Sequence, residues 1–234
     1  MRTVETCIVS GPLGCKLSLS HQEKHNGGGP FFIENFLSKP GILDKFNATT
    51  SVMEMCSGPG FMGYYLAYKL NLKNAYFLDI NPDVADCYKE NKKRVDFKVS
   101  FKVSDGFKAY TEPIDEDFPY KVNLIILNPP HVVEEKQFQN ISNTVPAWFP
   151  TDTPEKERQS RLILLDEDFK FHTHFCNEAY DRLTKNGQIA FLENEKFIPH
   201  KRLEEHLGDR FSYEFIQFQD TLDEGYYLLL ATKK

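Results

Sequence analysis

No stretch of the 234 residues comes near the roughly 18 consecutive apolar positions that a membrane-spanning helix needs. The opening "MRTVETCIVSGPLG" carries one basic residue and too short an apolar run for a secretory signal. A soluble, cytoplasmic protein with no membrane partner is the expectation. Cysteine is sparse and scattered: Cys7, Cys15, Cys56, Cys87 and Cys176 are odd in number and form no C-x-x-C pair. That excludes a zinc ribbon and a disulfide framework. In "HTH" (172–174) two histidines stand two apart, and on a helix they point to different faces, so no metal is expected there. Basic residues are in deficit, 28 against 34 acids for a net charge of −6, which excludes a protein that coats nucleic acid by bulk charge. The one local basic cluster, "KENKKR" (89–94), reads as the solvated face of a helix. No Gly-Lys-Ser/Thr occurs, so a P-loop is excluded as well.

Core-forming residues are plentiful. A hydrophobic fraction of 41% with 20 phenylalanines suits one sizeable α/β domain. "TVETCIVS" and "CKLSLS" flank a Gly-Pro turn and read as a β-hairpin, followed by the glycine loop "HQEKHNGGGP"; together they form an N-terminal extension over 1–30. From residue 31 the pattern settles. "FFIENFLS" is a short helix, "SVMEM" a buried strand, "FMGYYLAYKL" a helix and "NAYFLDI" a strand. Asn81-Pro82 is a helix start, with an N-cap followed by proline at the first helical position. "DFKVSFKV" and "VNLIIL" are two further strands. Residues 131–165 read as a long irregular insertion, with Trp148, Phe149 and several prolines facing the substrate. "DEDFKFHTHFCNEAYDRL" is a helix placing Phe169, Cys176, Ala179 and Leu183 near one face, and "NGQIAFLE" is a turn and a strand. Unbroken apolar strands alternating with helices mean a parallel sheet covered on both faces. "FSYEFIQFQD" and "GYYLLLATKK" break the rhythm, because only "TLDE" separates them and a parallel pair needs a far longer crossover. The fold class is therefore α/β: a Rossmann-like, seven-stranded mixed sheet ending in an antiparallel hairpin.

Gly58-Pro59-Gly60-x-x-Gly63 lies between a strand and a helix, and Asp79 ends the next strand, near the spacing of a ribose-binding acid. Several cofactor classes share this pattern. Glu54, two residues before Cys56, would repel a pyrophosphate but suits a ligand with an ammonium and a sulfonium. Asn128-Pro129-Pro130 ends the "VNLIIL" strand abruptly, since neither proline donates to a sheet and both fix φ. Hydride transfer has no use for it.

Glu54-x-Cys56-x-Gly58-x-Gly60, Asp79, Asp105-Gly106 and Asn128-Pro129-Pro130 stand in the order and spacing of a class I S-adenosylmethionine (SAM) methyltransferase, and residues 50–234 resemble that family. The resemblance implies SAM as cofactor. It implies that Cys56, Ser57, Gly58 and Gly60 lie against the methionine moiety, with Glu54 organising their loop. Asp79 would hold the ribose hydroxyls, Ile80 would pack on the adenine, and Asp105 with Gly106 would meet the adenine amino group.

Asn-Pro-Pro before an aromatic residue resembles the methyltransferases of planar –NH2 groups: adenine N6, cytosine N4 or the glutamine side chain. The resemblance makes Asn128, Pro129, Pro130 and His131 the catalytic set, with Asn128 also beside the cofactor. The Asn128 side-chain oxygen and the Pro129 carbonyl can each accept one N–H. They turn the nitrogen lone pair toward the methyl and stabilise the growing positive charge. No metal is required. His131 departs from the usual Tyr, Phe or Trp; an imidazole can stack on a planar group or act as a base. "NPPHVVEE" is similar to the glutamine methyltransferases, so a protein glutamine is the favoured acceptor, ahead of adenine in RNA or DNA. A nicotinamide-dependent oxidoreductase and a non-catalytic partner subunit remain as readings of other classes.

Overall fold

The computed structural model describes residues 5–7, 16–18, 29–47, 49–108, 118–144, 151–218 and 225–234. Its strands are β1 (Glu5–Cys7), β2 (Lys16–Ser18), β3 (Val52–Met55), β4 (Asn74–Asp79), β5 (Lys98–Val103), β6 (Val122–Leu127), β7 (Leu183–Asn194), β8 (Phe211–Gln217) and β9 (Tyr226–Lys233). Its α-helices are α1 (Gly29–Leu37), α2 (Phe61–Lys69), α3 (Ala85–Asn91), α4 (Glu135–Thr144), α5 (Pro154–Leu164), α6 (Lys170–Ala179) and α7 (His200–Leu207).

The main sheet has seven strands in the order β5-β4-β3-β6-β7-β9-β8. β3, β4, β5, β6 and β7 run parallel, and β9 lies antiparallel between β7 and β8. The expected mixed sheet with an antiparallel terminal pair is present. β1 and β2 pair antiparallel as a separate small sheet, Glu5 opposite Ser18.

Strand residues are shared alternately between two cores. Val52, Phe77, Leu124 and Ile126 pack under α1 and α2 with Phe36, Tyr64 and Leu66. Met53, Met55, Leu78, Ile125 and Leu127 face the other way, onto Phe175 and Ala179 of α6 and Leu203 of α7. Every β3 residue is buried, which is why the strand reads as an apolar run interrupted only by Glu54. Asn81 caps the 3-10 turn Pro82–Val84 that leads into α3: its side chain accepts from the Asp83 N–H at 3.0 Å, with Pro82 at the first position. No helix among the described residues is long and apolar enough to cross a membrane.

Three expectations need correction. The insertion 131–165 is not irregular but holds α4 and α5, while Trp148 and Phe149 lie outside the described residues. Both helices are mainly polar because only one stripe is covered: Val132, Phe138 and Leu164 form a small core of their own. Thr153 accepts from the Lys156 N–H and Pro154 opens α5, a start signal that the surrounding charge obscured. Leu183 is not on the α6 face; that helix stops at Ala179 and Leu183 opens β7. The Asn186-Gly187 pair does not end a helix-to-strand turn but lies within β7, at a register shift where Asn186 takes φ 59°.

Candidate active site

β3, β4 and β6 end level with one another. Met55 pairs with Leu78 on one side and with Leu127 on the other, so Cys56, Asp79 and Asn128 emerge side by side at the carboxyl edge. Asp79 in turn is level with Val103 of β5. This edge is where open α/β sheets bind ligands.

The loop after β3 is fixed from several directions. Gly60 N–H donates to the Ser57 carbonyl at 2.7 Å, and Gly60 sits at φ 84° against the ring of Tyr64. Asp79 closes the loop: one carboxylate oxygen accepts from the Gly58 N–H at 2.6 Å and the other from the Asn81 N–H at 2.8 Å. Burial pushes the Asp79 carboxyl up, and those two amides pull it back only partly. Beneath the loop the Tyr88 hydroxyl stands 2.8 Å from both Ser57 Oγ and the Gly58 carbonyl. Tyr88 escaped the sequence reading, since an aromatic on an amphipathic helix looks like ordinary core.

Glu54 does not reach its own loop, as expected of it, but the helix behind. Its Oε2 accepts from the Gly63 N–H at 2.7 Å. The α2 N-cap is Gly60, which has no side chain, so a strand carboxyl does the capping instead. Burial raises this carboxyl to about 8, against the pull of the Gly63 and Met62 amides. Between 4.5 and about 8 the folded chain therefore keeps a proton that the unfolded chain has released, and stability falls as pH rises through that window. Glu54→Gln keeps the acceptor without the titration. Its melting temperature relative to wild type should rise steadily from pH 5 to pH 8; a difference independent of pH would show that Glu54 does not titrate there.

The edge suits a cationic ligand with an aromatic end. Cys56 has a positive φ of 52°, and its thiol is pushed up by burial and then by the charges of Asp79, Glu193, Asp166 and Glu54. A pyrophosphate would meet Asp79, Glu193 and Asp166 unfavourably; an ammonium and a sulfonium would not. Beyond Asp79, Ile80 is 43% exposed, and Val103, level with Asp79 on β5, is 47% exposed, so large apolar side chains stay open to solvent at this edge. Gly58, at φ 47°, has open space where a side chain would stand, leaving room for close approach. Asp105, two residues past the end of β5, is paired with Lys108, and Gly106 at φ 58° carries the turn. The residues present fit SAM.

On the other flank Asn128 is exposed, Pro129 buried, and Pro130 and His131 half-buried. His131 is not a free stacking ring. Its Nδ1 is 2.6 Å from Glu193 Oε2, and its edge meets Tyr226 at 5.8 Å. Glu193 Oε1 is 2.6 Å from His172 Nε2, whose Nδ1 is 2.6 Å from Asp166 Oδ2. Of this line, sequence reading named only His131 as a site residue. The one available signal for Glu193 is an acid one residue before the end of a buried strand, the place Glu54 also holds in β3.

The insertion folds back over the edge. Val132 N–H donates to the Leu164 carbonyl and Asp166 N–H to the Val132 carbonyl, at 2.9 and 2.7 Å. Arg161 binds both Glu135 oxygens at 2.7 Å, joining α5 to α4, and Gln159 reaches Asp83, beyond Asp79, at 2.8 Å. Among the described residues no cluster of three or more His, Cys, Asp or Glu is arranged to hold a metal.

Comparison with known proteins agrees with this architecture. The methyltransferase small domain family matches residues 24–146, more than half the chain. No curated protein matches. Among solved structures, a methyltransferase from Pyrococcus furiosus aligns at TM-score 0.55 and 16% identity over 87% of this chain and 82% of its own. The T. thermophilus 16S rRNA N2 G1207 methyltransferase RsmC, in complex with AdoMet and guanosine, aligns at TM-score 0.60 and 14% identity over 100% of this chain and 52% of its own. TrmN from Thermus thermophilus aligns at 0.54 and 15% over 96% and 50%. The chain thus spans about half the length of RsmC and of TrmN. With its sheet order, its glycine loop and this family match, the chain belongs to the small-domain methyltransferases, enzymes that use S-adenosylmethionine.

Proposed function

We propose that the enzyme is an N-methyltransferase acting on a planar –NH2 group. The observation that carries this reading is the position of Asn128-Pro129-Pro130, immediately after β6 and level with the glycine loop. When bound, SAM supplies an electrophilic methyl on a sulfonium. The chain's own residues do the rest. Asp79 and the Ser57–Gly60 loop hold the ribose and methionine ends, Ile80 takes one face of the adenine, and Asp105 with Gly106 meets its amino edge. The Asn128 amide oxygen and the Pro129 carbonyl each accept one N–H of the acceptor, which aims its lone pair at the methyl and stabilises the charge that grows on nitrogen. The wall of Pro130 and His131, with α4 and α5 beyond, keeps water away.

"NPPHVVEE" and the acidic balance favour the side-chain amide of a protein glutamine as acceptor. A base amine in RNA is the second reading, favoured by structural neighbours named for rRNA and guanosine. The two separate by salt. RNA held through several phosphates loses apparent affinity steeply between 50 and 200 mM salt, whereas a buried amide does not. The test is methyl transfer from tritiated SAM to a glutamine-containing peptide and to a single-stranded RNA, alongside thermal shifts with S-adenosylhomocysteine. We expect peptide labelling with a flat salt response, and a stabilising shift that Asp79→Ala largely removes. RNA labelling with a steep slope would reverse the choice of acceptor. Stabilisation by NAD without any by S-adenosylhomocysteine would refute the assignment of the cofactor residues.

A further inference from the structure

The line His131–Glu193–His172–Asp166 runs from the acceptor side of the active site into the core. Glu193 and His172 are fully buried, and Asp166 nearly so. Each of its three contacts is 2.6 Å, so each must contain one proton. Asp166 also accepts from the backbone N–H groups of Phe171 and His172, at 2.7 and 3.2 Å, so both of its oxygens serve as acceptors at the start of α6. Between two carboxylates His172 must then donate from both nitrogens and is a cation. Burial alone would push its pKa down, but Glu193 and Asp166 outweigh this and raise it to about 8. Glu193 in turn is pushed up by burial and brought down further by the two imidazoles. An ionised Glu193 facing His131 Nδ1 leaves one assignment for a neutral His131 ring: the proton on Nδ1 and a bare lone pair on Nε2, which has no partner among the described residues.

The surroundings are built to hold this arrangement. Asp168 and Phe169 both take φ 60°, a costly conformation for a phenylalanine, and this sets the Phe169 ring flat against His172 at 4.4 Å and 5°. The guanidinium of Arg202 lies over the same Phe169 ring at 4.0 Å. Among the described residues, the titratable groups that face the line are Cys56 from the glycine loop, Cys176 one turn along α6 from His172, and Tyr226 and Tyr227 from β9. The Tyr227 hydroxyl is committed to the Ile198 carbonyl at 2.7 Å.

We propose that His131 Nε2 takes the proton released by the acceptor nitrogen, and that Glu193, His172 and Asp166 are positioning residues that fix its tautomer. This rests on the N-methyltransferase reading and deepens it. As the acceptor nitrogen forms its bond to the methyl carbon, the C–S bond breaks and its electron pair stays on sulfur. One N–H proton of the now cationic nitrogen passes to Nε2. His131 becomes an imidazolium beside ionised Glu193, the charge of the line goes from −1 to 0, and the proton leaves later through the solvent-facing part of the ring.

The test begins with wild-type protein labelled with 15N-histidine, bound to S-adenosylhomocysteine at pH 7.5, read by two-bond 1H–15N correlation. His131→Phe supplies the assignment. We expect His131 to be neutral with Nδ1 protonated, and His172 doubly protonated. A neutral His131 protonated on Nε2 overturns the proposal, as does a His131 cation at that pH. The second arm is Glu193→Gln, whose amide can accept from only one imidazole and must offer N–H to the other. It should destroy the His131 Nδ1–H preference and lower kcat at least about tenfold, toward the range of a lost general base, with the KM for SAM unchanged. An altered tautomer with full kcat overturns the proposal. Failure of the wild-type enzyme to label either peptide or RNA counts against the acceptor reading alone, since the tautomer is read without an acceptor.

Discussion

Asn128→Ala is expected to leave SAM binding almost untouched while cutting kcat roughly 10²- to 10³-fold, the usual cost of removing one preorganised group that stabilises transition-state charge. The side chain is exposed and follows the last residue of β6, so its loss opens no cavity, and stability should change by no more than about 0.5 kcal/mol. Its proposed contact is made to the acceptor amine and strengthens only as that nitrogen becomes positive. The loss should therefore fall on kcat and not on the KM for SAM. Isothermal titration with S-adenosylhomocysteine beside single-turnover methyl transfer separates the two. Parallel loss of binding and turnover would make the Asn-Pro-Pro a wall of the cofactor pocket instead.

Gly63→Ala is expected to be the most damaging single-methyl addition near the site. A Cβ there would stand 2.6 Å from Phe77 Cε1, 2.7 Å from Glu54 Oε2 and 3.2 Å from Glu54 Cβ. Phe77 belongs to the core between α2 and the sheet and is stacked on Tyr64 at 4.8 Å, so it has little room to yield. Moving Glu54 instead would release the Gly63 N–H and uncap α2. Overpacking of this kind costs about 1–3 kcal/mol, and at this chain length each kcal/mol is worth about 2–4 °C of melting temperature. Thermal unfolding by circular dichroism reads it directly. A melting temperature within a degree of wild type would mean that α2 can shift away from β3 without penalty.

These two positions show what was legible in the sequence and what was not. Gly63 and the loop before it are a local pattern, because a helix that packs this closely on its strand needs a missing side chain at one fixed offset. The strands were legible for a similar reason. Burial on both faces makes "VNLIIL" apolar at every position but Asn123, and the short "TLDE" link forces its two flanking strands to run antiparallel. The helices of the insertion were not, since α4 and α5 cover only Phe138 and Leu164 and their charged faces dominate any local reading. The His131 line was least legible of all. Its partners are 62, 21 and 6 residues apart, in the loop after β6, on β7, on α6 and in the turn before it, and only the fold brings them together. His172 looked like half of an H-x-H pair whose other member, His174, in fact sits on the surface beside Glu178.

The placement of β9 between β7 and β8 has a consequence for how the chain comes off the ribosome. β8 is made first, but it cannot join the sheet, because its partner is the strand still to be translated and β7 is not its neighbour. Until residues 226–233 emerge, the outer edge of β7 from Gln188 to Asn194 stays unpaired, an apolar ribbon of backbone donors and acceptors of the kind that recruits foreign strands. Glu193 lies on that ribbon, opposite Tyr227. The β7 edge that carries Glu193 is therefore closed only when β9 has been made.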